Sequence, residues 1–253
     1  VYQDGSYDFT EIDSMVREAK KRGLEVVLAA GYRSFRWPEC YAPADINTLP
    51  YSEFEQEILS FWREVLNHFA NRRIVDFWQV ENETYVFFAN HCRFVRPATL
   101  TKLVNQVHEQ DQEARPIIFG SGGTEATFLP FYWGIFRQAD ILSVSFYPRT
   151  RDHYLGLIIE PFDWFPIPPR NVERERQFVT SHSRRYWVSE FQAEPWQEDP
   201  TTMSPEILWK NWDKLTSASS VERVFLWGVE WWVKEKQSGR PALFNAAQNL
   251  FNR

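Results

Sequence analysis

Six short apolar runs, each followed by a segment of helical periodicity, constrain this chain more than any other feature. The runs are LEVVLAAGY (24–32), IVDFWQVE (74–81), PIIFGSGG (116–123), DILSVSFYP (140–148), YWVSEFQAE (186–194) and VERVFLWGVEWW (221–232). Between them, apolar residues recur at the three- and four-residue spacing of one helix face. In 51–72 these are Phe54, Ile58, Phe61, Trp62, Val65 and Phe69; in 98–114 they are Leu100, Leu103, Val104 and Val107. A helix is also expected before the first run. There Ile12, Met15, Val16 and Ala19 share a face, Asp8 and Glu11 have capping-box spacing, and Lys20-Lys21-Arg22-Gly23 reads as a stop. Ser204 and Pro205 supply the N-cap and first-turn chemistry of another helix. Strands separated by helices pair in parallel with the helices outside, so the chain is α/β. An open doubly wound sheet and a (β/α)8 TIM barrel both satisfy that pattern.

The ends of the runs choose between them. An open sheet gathers functional groups near one switch point, whereas a barrel gathers them at the C-terminal ends of many strands. Here GYRSFRWPECY follows the first run, Glu81-Asn82-Glu83 the second, Ser121-Gly122-Gly123-Thr124 the third and Tyr147 the fourth. The fifth carries Glu190, Gln192 and Glu194, and the last Glu230-Trp231-Trp232. That distribution is a barrel's. Strand alternation turns Trp78 and Val80 to the helix layer and Gln79, Glu81 and Glu83 inward, with Val188, Glu190 and Gln192 inward on the fifth run. Glu83 lies nearest the mouth, and Glu81 one layer down, where a carboxylate needs partners. Two carboxylates on non-adjacent strands can flank a glycosidic bond, one protonating the leaving oxygen while the other attacks or activates water.

Composition removes several alternatives. A net charge of −6 over 253 residues argues against nucleic acid or an anionic membrane as partner. No apolar run approaches the roughly 20 residues of a membrane span, and the opening residues lead us to expect no signal peptide among them. The five histidines show no ligand spacing, so neither metal nor cofactor is expected. GSGG lacks the Lys-Ser/Thr of a phosphate loop and reads as a turn. Cys40 and Cys92 make no disulfide framework and have no nucleophile context, which leaves the compartment open. The 12 Trp exceed the needs of a core, and such side chains stack on the flat faces of sugars. Core packing and sugar stacking are equally open for Trp196, Trp231 and Trp232. No linker or composition shift divides residues 1–253, which read as one domain.

In WQVENE, WVSEFQ, SFYP and LWGVEWW the chain resembles clan-A glycoside hydrolases, retaining β-glycosidases of the family 5, 35 and 42 type. The resemblance implies that Glu83, after Asn82 at the end of the fourth barrel strand, is the acid/base. It implies that Glu190, at the end of the seventh, is the nucleophile, contacted by Tyr147. It further implies sugar contacts from Asn82, Gln192, Arg36, Trp37 and a platform at Trp231 or Trp227. An oligosaccharide or glycoside is the implied partner, with the oligomeric state left open. In that numbering only one strand precedes WQVENE. The first two barrel strands are therefore expected to be missing, leaving six parallel strands, equivalents of the third to the eighth, open between 24–32 and 223–231. A non-catalytic carbohydrate-binding barrel remnant is the second reading, and an unrelated barrel enzyme using a carboxylate pair for proton transfer the third.

Overall fold

The structure is a computed structural model that describes residues 2–3, 6–33, 35, 40, 45–83, 92–122, 129–151, 158–159, 171–218 and 221–251. Six strands make the main sheet: β1 (Val27–Ala30), β2 (Phe77–Val80), β3 (Ile117–Ser121), β4 (Ile141–Phe146), β5 (Arg185–Gln192) and β6 (Val224–Trp227). Their order is β6–β5–β4–β3–β2–β1, with β1 and β6 at its two ends. The helices are α1 (Thr10–Lys21), α2 (Tyr51–Phe69), α3 (Pro97–Gln110), α4 (Leu129–Phe136), α5 (Val172–Ser181), α6 (Pro205–Ala218), α7 (Val229–Gln237) and α8 (Ala242–Leu250). The fold is α/β with six parallel strands and surrounding helices, an incomplete (β/α)8 arrangement, as the alternation implies. Two antiparallel ladders, Tyr2–Gln3 with Ser6–Tyr7 and Thr150–Arg151 with Ile158–Ile159, lie outside it. Contacts divide the chain into two compact units, residues 1–121 with 130–142, and 122–129 with 143–253. Among the described residues, no helix is long and apolar enough to cross a membrane.

In the first unit, β1 pairs with β2 from Val27↔Phe77 to Ala30↔Val80, and β2 with β3 through Trp78↔Ile117 and Gln79↔Ile118. Every residue of β2 and β3 is buried, as a strand covered on both faces requires, whereas all of β1 is only half-buried. Phe54, Ile58, Trp62, Val65, Leu66 and Phe69 form the buried face of α2, and Trp62 meets Trp78 edge-on at 6.4 Å. Trp78 therefore faces the helix layer, and Gln79 and Glu81 the other side. At the opposite end of these strands Asp111 accepts Trp78 Nε1 at 2.8 Å and pairs with the Arg115 guanidinium. Arg115 also caps the Ala70 carbonyl at 2.8 Å, so this buried charge pair braces the frame away from the C-terminal ends of the strands.

Two expectations change here. Of the apolar face read for α1, only Val16 is buried; Ile12 and Met15 are 38% and 62% exposed. The helix leans on the end of α2, through Phe9 against Phe69 at 5.4 Å and Asp13 with His68 at 2.9 Å. Cys40 and Cys92 are joined in a disulfide, with Cα atoms 5.6 Å apart. They lie beyond β1 and β2, adjacent parallel strands that end on the same side. Topology thus brings together two residues 52 positions apart.

In the second unit, β5 and β6 pair through Val224↔Val188, Leu226↔Phe191 and Trp227↔Gln192, with a register shift between Val224 and Leu226. Phe146 and Phe191 stack at 5.6 Å, and Phe191 meets Trp212 of α6 edge-on at 5.7 Å. That face belongs to the helices, so Glu190 and Gln192 point the other way. The sixth run departs from expectation. Its strand stops at Trp227, and Glu230, Trp231 and Trp232 belong to α7. Gly228, at φ 133°, turns the chain so close to the segment just past β5 that an added Cβ would lie 2.7 Å from Glu194 Cβ. Glu230 in the first turn of α7, with Lys234 and Lys236 in the last, suits the helix dipole. Trp232 is buried and donates its Nε1–H to the Ala193 carbonyl at 2.6 Å, which makes it a packing residue.

Candidate functional site

In the first unit, the ladder runs one residue past β2, where Glu81 N donates to the Ala30 carbonyl at 2.9 Å. The backbone then becomes strained: Glu81 has φ 61° and Glu83 φ 43°, left-handed values that side chains other than glycine rarely adopt. Glu81 is fully buried. Its Oε1 accepts the Tyr32 N–H at 2.9 Å and its Oε2 the Arg33 N–H at 3.0 Å. Burial pushes its carboxyl from the ordinary 4.5 up to about 7, against the opposing pull of the Arg33 and Tyr32 N–H bonds and the Arg33 charge. The Arg33 guanidinium, also buried, donates to the backbone carbonyl of Glu83. Beside them Gln79 donates through Nε2 to Asn82 Oδ1 at 3.1 Å. Gly120 on β3 leaves room for this pair, since a Cβ there would lie 2.7 Å from Gln79 Nε2. Asn82 is thus buried and held from below, and Glu83 is half-buried at the rim.

The loops around this cluster are tied down. Tyr32 donates its hydroxyl to Asn47 Oδ1 and accepts the Arg93 N–H at 2.9 Å. Arg93 donates to the Leu49 carbonyl at 2.6 Å, next to the disulfide at Cys92. Arg36 and Trp37 lie outside the described residues.

The second unit holds the other predicted residues. Glu190 is buried near the end of β5, and the Tyr147 hydroxyl donates to its Oε2 at 2.7 Å. Gln192 is fully buried. Its amide donates to the Arg149 carbonyl at 2.8 Å and accepts the Arg149 N–H at 3.1 Å, so both its ends hold the backbone two residues past Tyr147. Trp227, half-buried, is in register with Gln192 and so lies on the Glu190 side of β6. Trp231 sits on α7 with the Lys234 ammonium 5.1 Å from its ring centre. Trp196 stands edge-on to Tyr147 at 5.5 Å, in a turn where Gln197 and Glu198 have φ 49° and 62°. That turn is anchored by Arg151, which pairs with Asp199 and donates to Thr201 Oγ1 at 2.9 Å. The Arg151 hydrogen bond, helped by Thr201, holds the Asp199 carboxyl down to about 2.

The structure therefore brings Tyr147 to Glu190, Gln192 to the Tyr147 segment and Trp227 alongside, and in the other unit Asn82 and Glu83 above Gln79 and Glu81. Sequence reasoning missed Arg33 and the placing of Trp196 against Tyr147. The only signal for Arg33 was its position just past a strand end. No group of three or more His, Cys, Asp or Glu among the described residues could hold a metal ion.

No protein-family model matches the chain, and no curated protein matches it by sequence. Solved structures do match it in three dimensions. A β-galactosidase from the psychrophilic Marinomonas ef1 is similar with a TM-score of 0.54 at 13% identity, over 89% of this chain and 47% of that one. A thermostable mutant of a xylanase from Cellvibrio japonicus is similar with a TM-score of 0.55 at 14% identity, over 90% of this chain and 74% of that one. A polyextremophilic β-galactosidase from the Antarctic haloarchaeon Halorubrum lacusprofundi gives 0.54 at 12% identity, over 89% and 46%. The chain spans about half the length of the two β-galactosidases it matches. At these identities the likeness is one of fold.

Proposed function

We propose that this chain is a retaining β-glycosidase of the family 5, 35 and 42 kind, with Glu190 as nucleophile and Glu83 as acid/base. The observation that carries the reading is the Tyr147 hydroxyl on Glu190 Oε2 at 2.7 Å. Such a bond favours the ionised carboxylate and fixes its direction, which a nucleophile needs and a solvated strand-end glutamate does not. The fold shared with β-galactosidases and a xylanase supports it. In the reaction Glu190 attacks the anomeric carbon while Glu83 gives its proton to the departing oxygen, leaving a glycosyl ester on Glu190. Glu83, now ionised, takes a proton from water as that water attacks the ester; the sugar leaves with its configuration retained and both carboxyl groups return to their starting states. This mechanism calls for carboxyl groups about 5–5.5 Å apart, and inversion for more than about 6.5 Å.

Asn82, Trp227, Arg36 and Trp37 are assigned to the sugar, with Trp231 at its outer margin. Gln192 is assigned to holding the Tyr147 segment, because its amide is already committed to Arg149. The test uses fluorosugar inhibitors of the β-galactoside and β-xyloside series, which trap the glycosyl ester. Mass spectrometry should find the added sugar on the peptide containing Glu190, and Glu190→Gln should abolish turnover while keeping oligosaccharide binding. Oligosaccharide binding by the unaltered protein with neither turnover nor label would establish the non-catalytic alternative instead. Turnover that survives Glu190→Gln would refute the assignment.

A further inference from the structure

A fully buried carboxylate that the reaction does not use stands two residues before the proposed acid. Glu81 sits where it loses hydration, and its own backbone and that of Glu83 are both left-handed. Each such residue costs of order 1–3 kcal/mol and persists only where the surroundings over-determine it. The surroundings do so here. Both Glu81 oxygens are used, one on the Tyr32 N–H and one on the Arg33 N–H, and Gly31 leaves the carboxylate room, since a Cβ there would lie 2.5 Å from its carbon. The Arg33 side chain then returns to the carbonyl of Glu83. The result is a closed ring: Glu81 side chain, Arg33 backbone, Arg33 side chain, Glu83 backbone. An amide at position 81 could accept only one of the two N–H groups and would turn its own N–H against the other.

We propose that Glu81 and Arg33 are positioning residues that fix the backbone of Glu83, and with it the angle at which the acid meets the leaving oxygen. The inference rests on the reading of Glu83 as acid/base. It explains why two left-handed residues flank Asn82 and why a carboxylate is buried there at all. Neither residue is assigned a contact with substrate.

The test compares kcat/KM, which reports the acid-assisted first step, on aryl β-glycosides with activated (dinitrophenyl) and poor (phenyl) leaving groups, because in that step misplacing the acid harms only the substrate that needs its proton. Glu81→Gln, Arg33→Lys and a Glu83→Ala control are each verified folded by circular dichroism. Glu83→Ala should lose kcat/KM on the phenyl glycoside far more than on the dinitrophenyl glycoside, while its kcat on the latter falls with the lost base and recovers when azide replaces water as the nucleophile. Glu81→Gln and Arg33→Lys should lower kcat/KM on the phenyl glycoside about ten- to hundredfold, the scale of an ångström-sized misplacement, with kcat/KM on the dinitrophenyl glycoside nearly unchanged. Arg33→Lys keeps the proposal testable if Glu81→Gln fails to fold. Equal losses on both substrates, or no loss, in the folded positioning variants alongside a selective Glu83→Ala would overturn the positioning role alone. Equal losses in Glu83→Ala itself would overturn the acid assignment and this inference with it.

Discussion

The Tyr147 hydroxyl stabilises the charged form of Glu190, so deleting it has a direction as well as a size. In Tyr147→Phe the carboxyl should be harder to ionise, and the acidic limb of the pH–rate profile should move to higher pH. A hydrogen bond to a charged group is worth about 1.5–3 kcal/mol, which sets an upper range of roughly ten- to hundredfold on the loss of kcat. An unmoved acidic limb would mean the phenol does not act through Glu190. Glu81 titrates in the other direction. Its folded value is raised from 4.5 to about 7, so the folded state binds the proton more tightly than the unfolded chain. The stability it contributes is complete below pH 4.5 and is lost as pH rises through about 7, a change of about 3 kcal/mol. Urea unfolding at a series of pH values should show this decline in the native protein and not in Glu81→Gln. At this scale the strand-end places of Glu83, Glu190 and Tyr147 were legible, because polar side chains interrupt apolar strands there. Arg33 and the bonds of Gln192 to Arg149 were not, because both act on backbone groups, which every residue carries and no sequence pattern marks.

Element by element, the alternation of strands and helices was legible because two periodicities and the turn residues agree. The exception is α7. VEWW carries on the apolar character of β6, so it reads as more strand until Gly228 is seen to turn the chain at φ 133°. The helical spacing of Val229, Trp232 and Val233, with Gly239 beyond, was the available signal. Glycine meaning also differs by place. Gly31→Ala must hold φ 155° and push a Cβ into the Glu81 carboxyl, and should cost at least about 2 kcal/mol. Gly23→Ala, at φ 71° beyond α1 with nothing within 4 Å, meets only the left-handed penalty, about 1 kcal/mol. Equal shifts in their denaturation midpoints would contradict the clash at Gly31.

At the scale of the whole molecule, the sheet has two end strands, and both are less covered than the strands between them. All of β1 is half-buried, with Leu24 just before it 55% exposed, and Phe225 of β6 is 36% exposed. Such edges offer unpaired backbone groups to any other chain. Sedimentation velocity should show self-association that grows with concentration, and a charged residue in place of Phe225 should weaken it; a monomer at all concentrations would count against open edges. The pairing of Cys40 with Cys92 was not legible at any of these scales, because it depends on where two loops meet beyond neighbouring strands. It also decides what happens to a damaged molecule. A protease that cuts once between the two cysteines severs the peptide chain but not the molecule, for the fragments stay covalently joined. A nicked protein should therefore run as a single species on a denaturing gel until a reductant is added, and only then separate into two.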